Sequence, residues 1–271
     1  MAQINSVVNA VRILQLFGRD EPWLSLGEIS RQVGLGKSTA HNLLSTLVAC
    51  KLVEKDSDGR YALGTQIIAL TQGVRINIEL RDLAAPLLRK LAETAKESVY
   101  LAVLDDTQAL YIYAIESSDR LRARSAVGDH AKLHCTSVGK AILSGLPPAQ
   151  IEKIVAEVGM PAYTANTITT LDALHKELAI TAQRGYSVDF SEHEANYYCI
   201  GAPIFDRRGH GIAACSVSGT DPTIVGTRLS EISAHVVHTA QEISRYMGYM
   251  PPRRAAIAPL RALPIPSDGA A

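Results

Sequence analysis

Neither sign of charge prevails in this 271-residue chain: 27 lysines and arginines stand against 27 aspartates and glutamates. Overall charge therefore points to no class of partner. Cysteine is scarce. Cys50, Cys135, Cys199 and Cys215 are scattered with no CxxC pair, which argues against a disulfide framework and for a reduced, cytoplasmic protein. No apolar run approaches the roughly 18 residues of a membrane span, and with no charged region followed by an apolar block near residue 1 no secretory signal is expected. A phosphate-binding loop also lacks a part. Gly36-Lys37-Ser38-Thr39 looks like its end, but Arg31 stands where its first glycine belongs. Ser25 and Glu28 form a capping-box pair, and Leu26, Ile29 and Val33 recur at helical spacing. A helix therefore precedes Gly36, where a nucleotide-binding loop needs a strand. "SVGKA" (137–141) fails as well, because Ala141 replaces the hydroxyl residue; Lys140 is expected at the surface of a helix start. No cofactor is expected.

What is present suits a globular protein of about two domains: 47% of residues are hydrophobic and 20% charged. Ile4, Val7, Val8, Val11 and Leu14 predict an amphipathic helix over 4–18. A second is expected over 25–33. The tight turn Gly34-Leu35-Gly36 leads to a third over 37–49, apolar through Ala40, Leu43, Leu44, Leu47 and Val48. "LVEKDSDGRYAL" reads as two short strands about a turn. Helix, helix, tight turn, helix and hairpin is the order of a winged helix-turn-helix, whose second motif helix enters the DNA major groove. Lys37, Ser38 and Thr39 would then meet phosphates at a helix start that favours anions. His41, Asn42 and Ser45 would reach base edges, Asn42 with the pattern that suits adenine. Arg60, after the hairpin turn, would reach a phosphate or the minor groove. A solvated polar face is the bland alternative: residues 1–63 carry seven basic and six acidic side chains.

Residues 65–78 predict a connecting helix, and "RDLAAPLLRKLAETAKE" another despite Pro86. Strands are expected at 98–104, 109–117, 121–127, 186–190, 199–205 and 211–219. Helices are expected at 137–145, 147–158, 171–184 and 226–247. The fold class is α+β, with an antiparallel sheet in the C-terminal part. The boundaries expected are 1–64 for the DNA-binding domain, 65–79 for the linker helix and 80–247 for the second domain. Residues 248–271, with five of the twelve prolines, read as a disordered tail.

These segments resemble the IclR family of bacterial transcriptional regulators over about residues 4–247. The resemblance rests on "SLGEISRQVGLGKSTAHNLLSTLVACKLVEKDSDGRYALG", "LHCTSVGKAIL", "RGYSVDFSEHEANYYCIGAPIFD" and "AACSVSG". It implies a winged helix-turn-helix, a dimerising linker helix and a GAF-like effector-binding domain. It also implies a dimer or tetramer on a palindromic double-stranded DNA operator, modulated by a small carboxylate or aromatic acid, with no membrane partner. Two positions depart from the family's pattern: Gly36, where Pro is frequent, and Asn42, where Arg is common.

The resemblance places the effector at Ser137, Val138 and Gly139, with further contacts from Asp189, Cys199, Ser216 and Ser218. Leu121 and Ala123 would supply an apolar wall. Local chemistry agrees in part. Ser216 and Ser218 alternate on a strand, so both hydroxyls share a face, and Ser137 opens a helix whose free N–H groups suit a carboxylate. Plainer roles stay open: the serines bonding backbone, Cys199 as a small core residue, Asp189 capping a turn. The same residues suit two other function classes. Asp189, His193 and Cys199, with His134 or Cys135, are competent zinc ligands, at spacings that match no zinc signature. Cys199 or Cys135 could act as a nucleophile with His134 or His193 as base, although nothing in the sequence orients such a pair. The expectation is a regulator and not an enzyme.

Overall fold

Helix α1 (Asn5–Leu14) turns one side chain fully inward, Ile13. The structure, a computed structural model, describes residues 3–18, 21–71, 75–116 and 127–250, and at 75–78 the backbone alone. Contacts divide the chain into two units, Met1–Ile78 and Glu79–Ala271.

In the first unit, α1 ends at Leu14, short of the expected residue 18. Its apolar stripe also lies elsewhere than amphipathicity suggests. Ile4, Val7, Val8 and Val11 are exposed, while Ala10, Ile13 and Leu14 join the core. Trp23, the chain's single tryptophan, is half-buried just before β1 (Leu24–Ser25). That strand is too short for any periodicity to reveal. Helix α2 (Leu26–Val33) begins with the capping box read from the sequence: Ser25 Oγ accepts from Glu28 N at 3.3 Å, and Ser25 N donates to Glu28 Oε2 at 2.8 Å. Donation from Ser25 N and Ser25 Oγ to Oε2, both at 2.8 Å, holds the Glu28 carboxyl below its usual range. The helix ends at Gly34, whose φ of 73° only glycine adopts without strain. Leu35 N donates to Ser30 O at 3.0 Å and Ser30 Oγ to Leu35 O at 2.6 Å, which fixes the turn. Helix α3 (Lys37–Ala49) follows, then β2 (Val53–Lys55) and β3 (Arg60–Leu63). The three strands form an antiparallel sheet in the order β1-β3-β2. Ile13, Leu24, Ile29, Val33, Leu44, Leu47, Val53 and Tyr61 make one core. Helix α4 (Gln66–Thr71) buries no side chain.

Helix α5 (Arg75–Ala95) runs through Pro86 and across residue 80 without a break. After it come β4 (Ser98–Asp105), β5 (Gln108–Ile115), β6 (His130–Ala131), α6 (Ser137–Ser144), α7 (Pro148–Val158) and α8 (Leu171–Arg184). Strands β7 (Ser187–Phe190), β8 (Tyr198–Phe205) and β9 (Gly211–Gly219) precede α9 (Leu229–Tyr246). Among the described residues the strands form one antiparallel sheet in the order β6-β5-β4-β9-β8-β7. The fold is α+β, as the sequence predicts. The strand expected at 121–127 and the tail expected at 248–271 fall outside the described residues, apart from residues 127 and 248–250.

Strand alternation sorts the sheet into two faces. Val99, Leu101 and Val103 of β4, Cys215 and Val217 of β9, and Ile200 and Ile204 of β8 pack with α5 and α9. On the other face, Ala102 and Ala214 pack with α6, α7 and α8. Polar residues share that second face.

Candidate functional site

The exposed side of α3 carries every residue that the sequence assigns to DNA except Arg60, which opens β3. Lys37, Ser38, Thr39, His41, Asn42 and Ser45 are all exposed, whereas Ala40, Leu44 and Leu47 are buried beneath them. Gly36 caps the helix without a side chain, so the first-turn N–H groups keep no partner from the cap. In the hairpin, Asp56 Oδ1 accepts from Asp58 N at 2.9 Å and from Arg60 N at 2.8 Å. This ties the backbone that presents Arg60, which is exposed.

In the second unit, register places two polar rows across the sheet. Ser98 of β4 faces Ser218 of β9, which faces Cys199 of β8, which faces Asp189 of β7. Tyr100 faces Ser216, which faces Gly201, which faces Ser187. All lie on the face that looks towards α6 and are buried wherever they carry a side chain, apart from the half-buried Ser98. The Oγ atoms of Ser216 and Ser218 are 3.3 Å apart. The hydroxyls of Ser218 and Ser137 lie beside the Cys199 sulfur and temper the rise that burial imposes on its thiol. The structure thus brings Ser137, Cys199, Ser218 and Ser216 together, with Asp189 next in the row.

The start of α6 lies against β8 because residue 201 is glycine. A Cβ there would stand 2.8 Å from the carbonyl carbon and oxygen of Ser137. Ser187 Oγ donates to Ser137 O at 2.6 Å and holds the same approach. Thr136 caps the helix: its Oγ1 accepts from Gly139 N at 3.1 Å and donates to Lys132 O at 2.6 Å. Ser137, Val138 and Gly139 are all buried.

Asp189 caps the turn after β7, its Oδ1 accepting from Glu192 N at 2.8 Å, and His193 N also donates to it. The turn-capping role therefore holds. Burial nevertheless pushes its carboxyl up to about 7, with Glu192 adding to the rise and Lys140 opposing it. Lys140 corrects the surface expectation. It is 1% exposed and bonds Glu192 Oε1 in a buried ion pair. No local signal announces this, because α6 is buried all round and the partner lies far along the chain. Burial pushes the Glu192 carboxyl up more than Lys140 lowers it. A segment before α8 is fastened over this turn: Thr164 Oγ1 donates to Ser191 O at 2.7 Å and Thr167 Oγ1 to Glu192 O at 2.6 Å.

The metal set is not assembled. Among the described residues no three His, Cys, Asp or Glu side chains gather as ligands for an ion. The His193 ring lies tilted against Tyr163, centroids 4.8 Å apart, Asp189 is taken up by backbone N–H groups, and His134 Nε2 donates to Pro161 O at 3.1 Å. Nor do the thiols suit a nucleophile. Burial pushes Cys135 up to about 12 and Cys199 well above its ordinary value, the reverse of activation. Leu121 and Ala123 lie outside the described residues.

A helix-turn-helix with its reading face exposed, in one chain with a unit that buries a polar face under a helix start, defines a DNA-binding transcriptional regulator with an effector domain. The model of the IclR helix-turn-helix domain matches residues 6–57, and that of the bacterial transcriptional regulator IclR C-terminal domain matches residues 72–245. The chain belongs to the IclR family of bacterial transcriptional regulators. It is 31% identical to the transcriptional repressor IclR of Escherichia coli, over 92% of each chain. It is 30% identical to the HTH-type transcriptional regulator KipR of Bacillus subtilis, over 90% of this chain and 97% of that one. Among solved structures, the Thermotoga maritima IclR superposes with a TM-score of 0.77 at 30% identity, covering 91% of this chain and all of that one (100%). An IclR homologue from Microbacterium hydrocarbonoxydans, complexed with 4-hydroxybenzoate, superposes at 0.80 with 24% identity, covering 89% and 98%.

Proposed function

We propose that this chain is a cytoplasmic, non-enzymatic regulator that grips a palindromic operator as a dimer or tetramer and changes its hold when a small acid fills the polar face beneath α6. The observation that carries the reading is the buried row Asp189, Cys199 and Ser218, with Ser216 beside it and Ser137 against it. Burying so many polar groups costs stability unless each finds a partner. A carboxylate suits the free N–H groups at a helix start, and the hydroxyls suit a second oxygen. Lys37, Ser38 and Thr39 hold phosphates, Arg60 an adjacent backbone, and His41, Asn42 and Ser45 read bases. The acid shifts the population between two arrangements by binding one more tightly.

Mobility shifts on DNA upstream of the chain's own gene, with and without a panel of small acids, test this. Lys37→Ala should weaken binding to all operator variants and lower the salt slope by about one. Asn42→Ala should change the ranking of operator variants; an unchanged ranking removes its base contact. Asp189→Ala should abolish the acid response and spare DNA binding.

A further inference from the structure

Tyr100 is the bulkiest of the fully buried side chains in the described residues. It sits in an otherwise apolar strand stretch and lies outside the effector positions that the family resemblance supplies. Its place is specific. On β4 it faces Ser216 directly, on the sheet face that carries Ser218, Cys199 and Asp189. The neighbours on its own face are small, with Ala102 two residues on and Ala114 across β5. The phenol therefore fills space that they leave. Tyr111 stops the ring from swinging aside, with centroids 5.4 Å apart and planes inclined by 56°.

Volume alone would be met by phenylalanine, so the hydroxyl needs its own account. A buried hydroxyl without partners costs stability. The hydroxyls of Tyr197 and Ser98 lie beside the Tyr100 oxygen and temper the rise of its phenol. Burial pushes both phenols above their ordinary value, so both stay neutral. A phenol has one proton to donate and lone pairs to accept with, so a neutral Tyr100 can serve a ligand oxygen on this face as a donor. Ser216, directly opposite, puts that hydroxyl on the face that runs to the start of α6, where the proposed acid lies.

We propose that Tyr100, positioned by Tyr197, sets the specificity of the acid-binding face: it donates to a second oxygen on a short aliphatic acid and occupies the space an aromatic ring would need. The proposal rests on the effector reading of the face beneath α6. The carboxylate end sits at the Ser137 turn. Gly201, which admits that turn, is separated from Tyr100 by β9 alone, roughly 10 Å at ordinary strand spacing. A short acid bearing a 2-hydroxyl or 2-oxo group spans part of that gap and finds the Tyr100 proton. A benzene ring meets the phenol instead.

Calorimetric titration of the full chain with lactate, propionate and benzoate tests this. Wild type should bind lactate about tenfold more tightly than propionate, the worth of one hydrogen bond, and benzoate less tightly than either. Tyr100→Phe should erase the preference for lactate while leaving propionate unchanged, and Tyr100→Ala should admit benzoate. Tyr197→Phe, with the Tyr100 hydroxyl no longer held, should narrow the lactate preference, which merely structural damage would not do selectively; it also serves if the Tyr100 variants fail to fold. Acids that bind wild type and are lost in Ser218→Ala, but whose ranking neither Tyr100→Phe nor Tyr197→Phe changes, overturn the role of Tyr100 alone. Benzoate binding to wild type as tightly as lactate does the same. Failure of all three acids to bind either wild type or Tyr100→Ala overturns the acid-binding face together with it.

Discussion

Asp189 and the Lys140–Glu192 pair place three ionisable side chains in the interior within four residues and one ion pair of each other. Burial raises the Asp189 carboxyl from 3.8 to about 7, so folding favours its protonated form. The stability linked to it is complete below the unfolded value and lost as pH rises through about 7. The decline runs at up to about 1.4 kcal/mol per pH unit. Asp189→Asn keeps an oxygen for Glu192 N, so it should flatten that slope and exceed wild-type stability above about pH 7. Urea unfolding at several pH values checks this, and parallel slopes for the two proteins would refute it. The ion pair behaves differently. Lys140→Met strands Glu192, whose Oε2 has no other partner among the described residues. It should cost about 3–5 kcal/mol, and adding Glu192→Met should recover most of the loss. Denaturant midpoints of the single and double variants measure both effects.

At the scale of elements, α1 shows how a pattern can be right about helicity and wrong about the buried side. Of its predicted stripe, Ile4, Val7, Val8 and Val11 are between 38% and 69% exposed and only Leu14 faces the core, where Ala10 and Ile13 join it. Four apolar side chains in contact with water at i, i+3, i+4 and i+7 suit a partner of the same kind, in keeping with the proposed self-association. Val7→Glu with Val11→Glu should leave the fold intact and reduce the oligomer on dilution, measured by light scattering. An unaltered mass would move the contact elsewhere. Other elements were legible because their signals are local. The Ser25–Glu28 box, Gly34 and the alternation of Ser216 and Ser218 each act within a few residues. Strand β1 escaped because two residues carry no period. Lys140 escaped because its partner is 52 positions away. Tyr100 escaped because a tyrosine in an apolar strand looks like core until its register partner, Ser216, is known.

Over the whole molecule, the sequence exposes the order of elements and the fold class more fully than it exposes the site. The hydroxyls of Ser216 and Ser218 could be assigned to one face from spacing alone. That Cys199, Ser137 and Asp189 meet them depends on the order β4-β9-β8-β7, a matter of long-range pairing. The close approach permitted by Gly201 is equally remote in sequence. The division into two units also has an optical consequence. Trp23 belongs to the unit that carries the reading helix, and the second unit contains no tryptophan. Tyr100, Tyr111 and Tyr197 cluster in the second. Light absorbed at the red edge, by indole alone, therefore reports on the DNA-reading unit, while phenol emission is dominated by the other. One unlabelled sample can show operator and acid arriving as two separate colours.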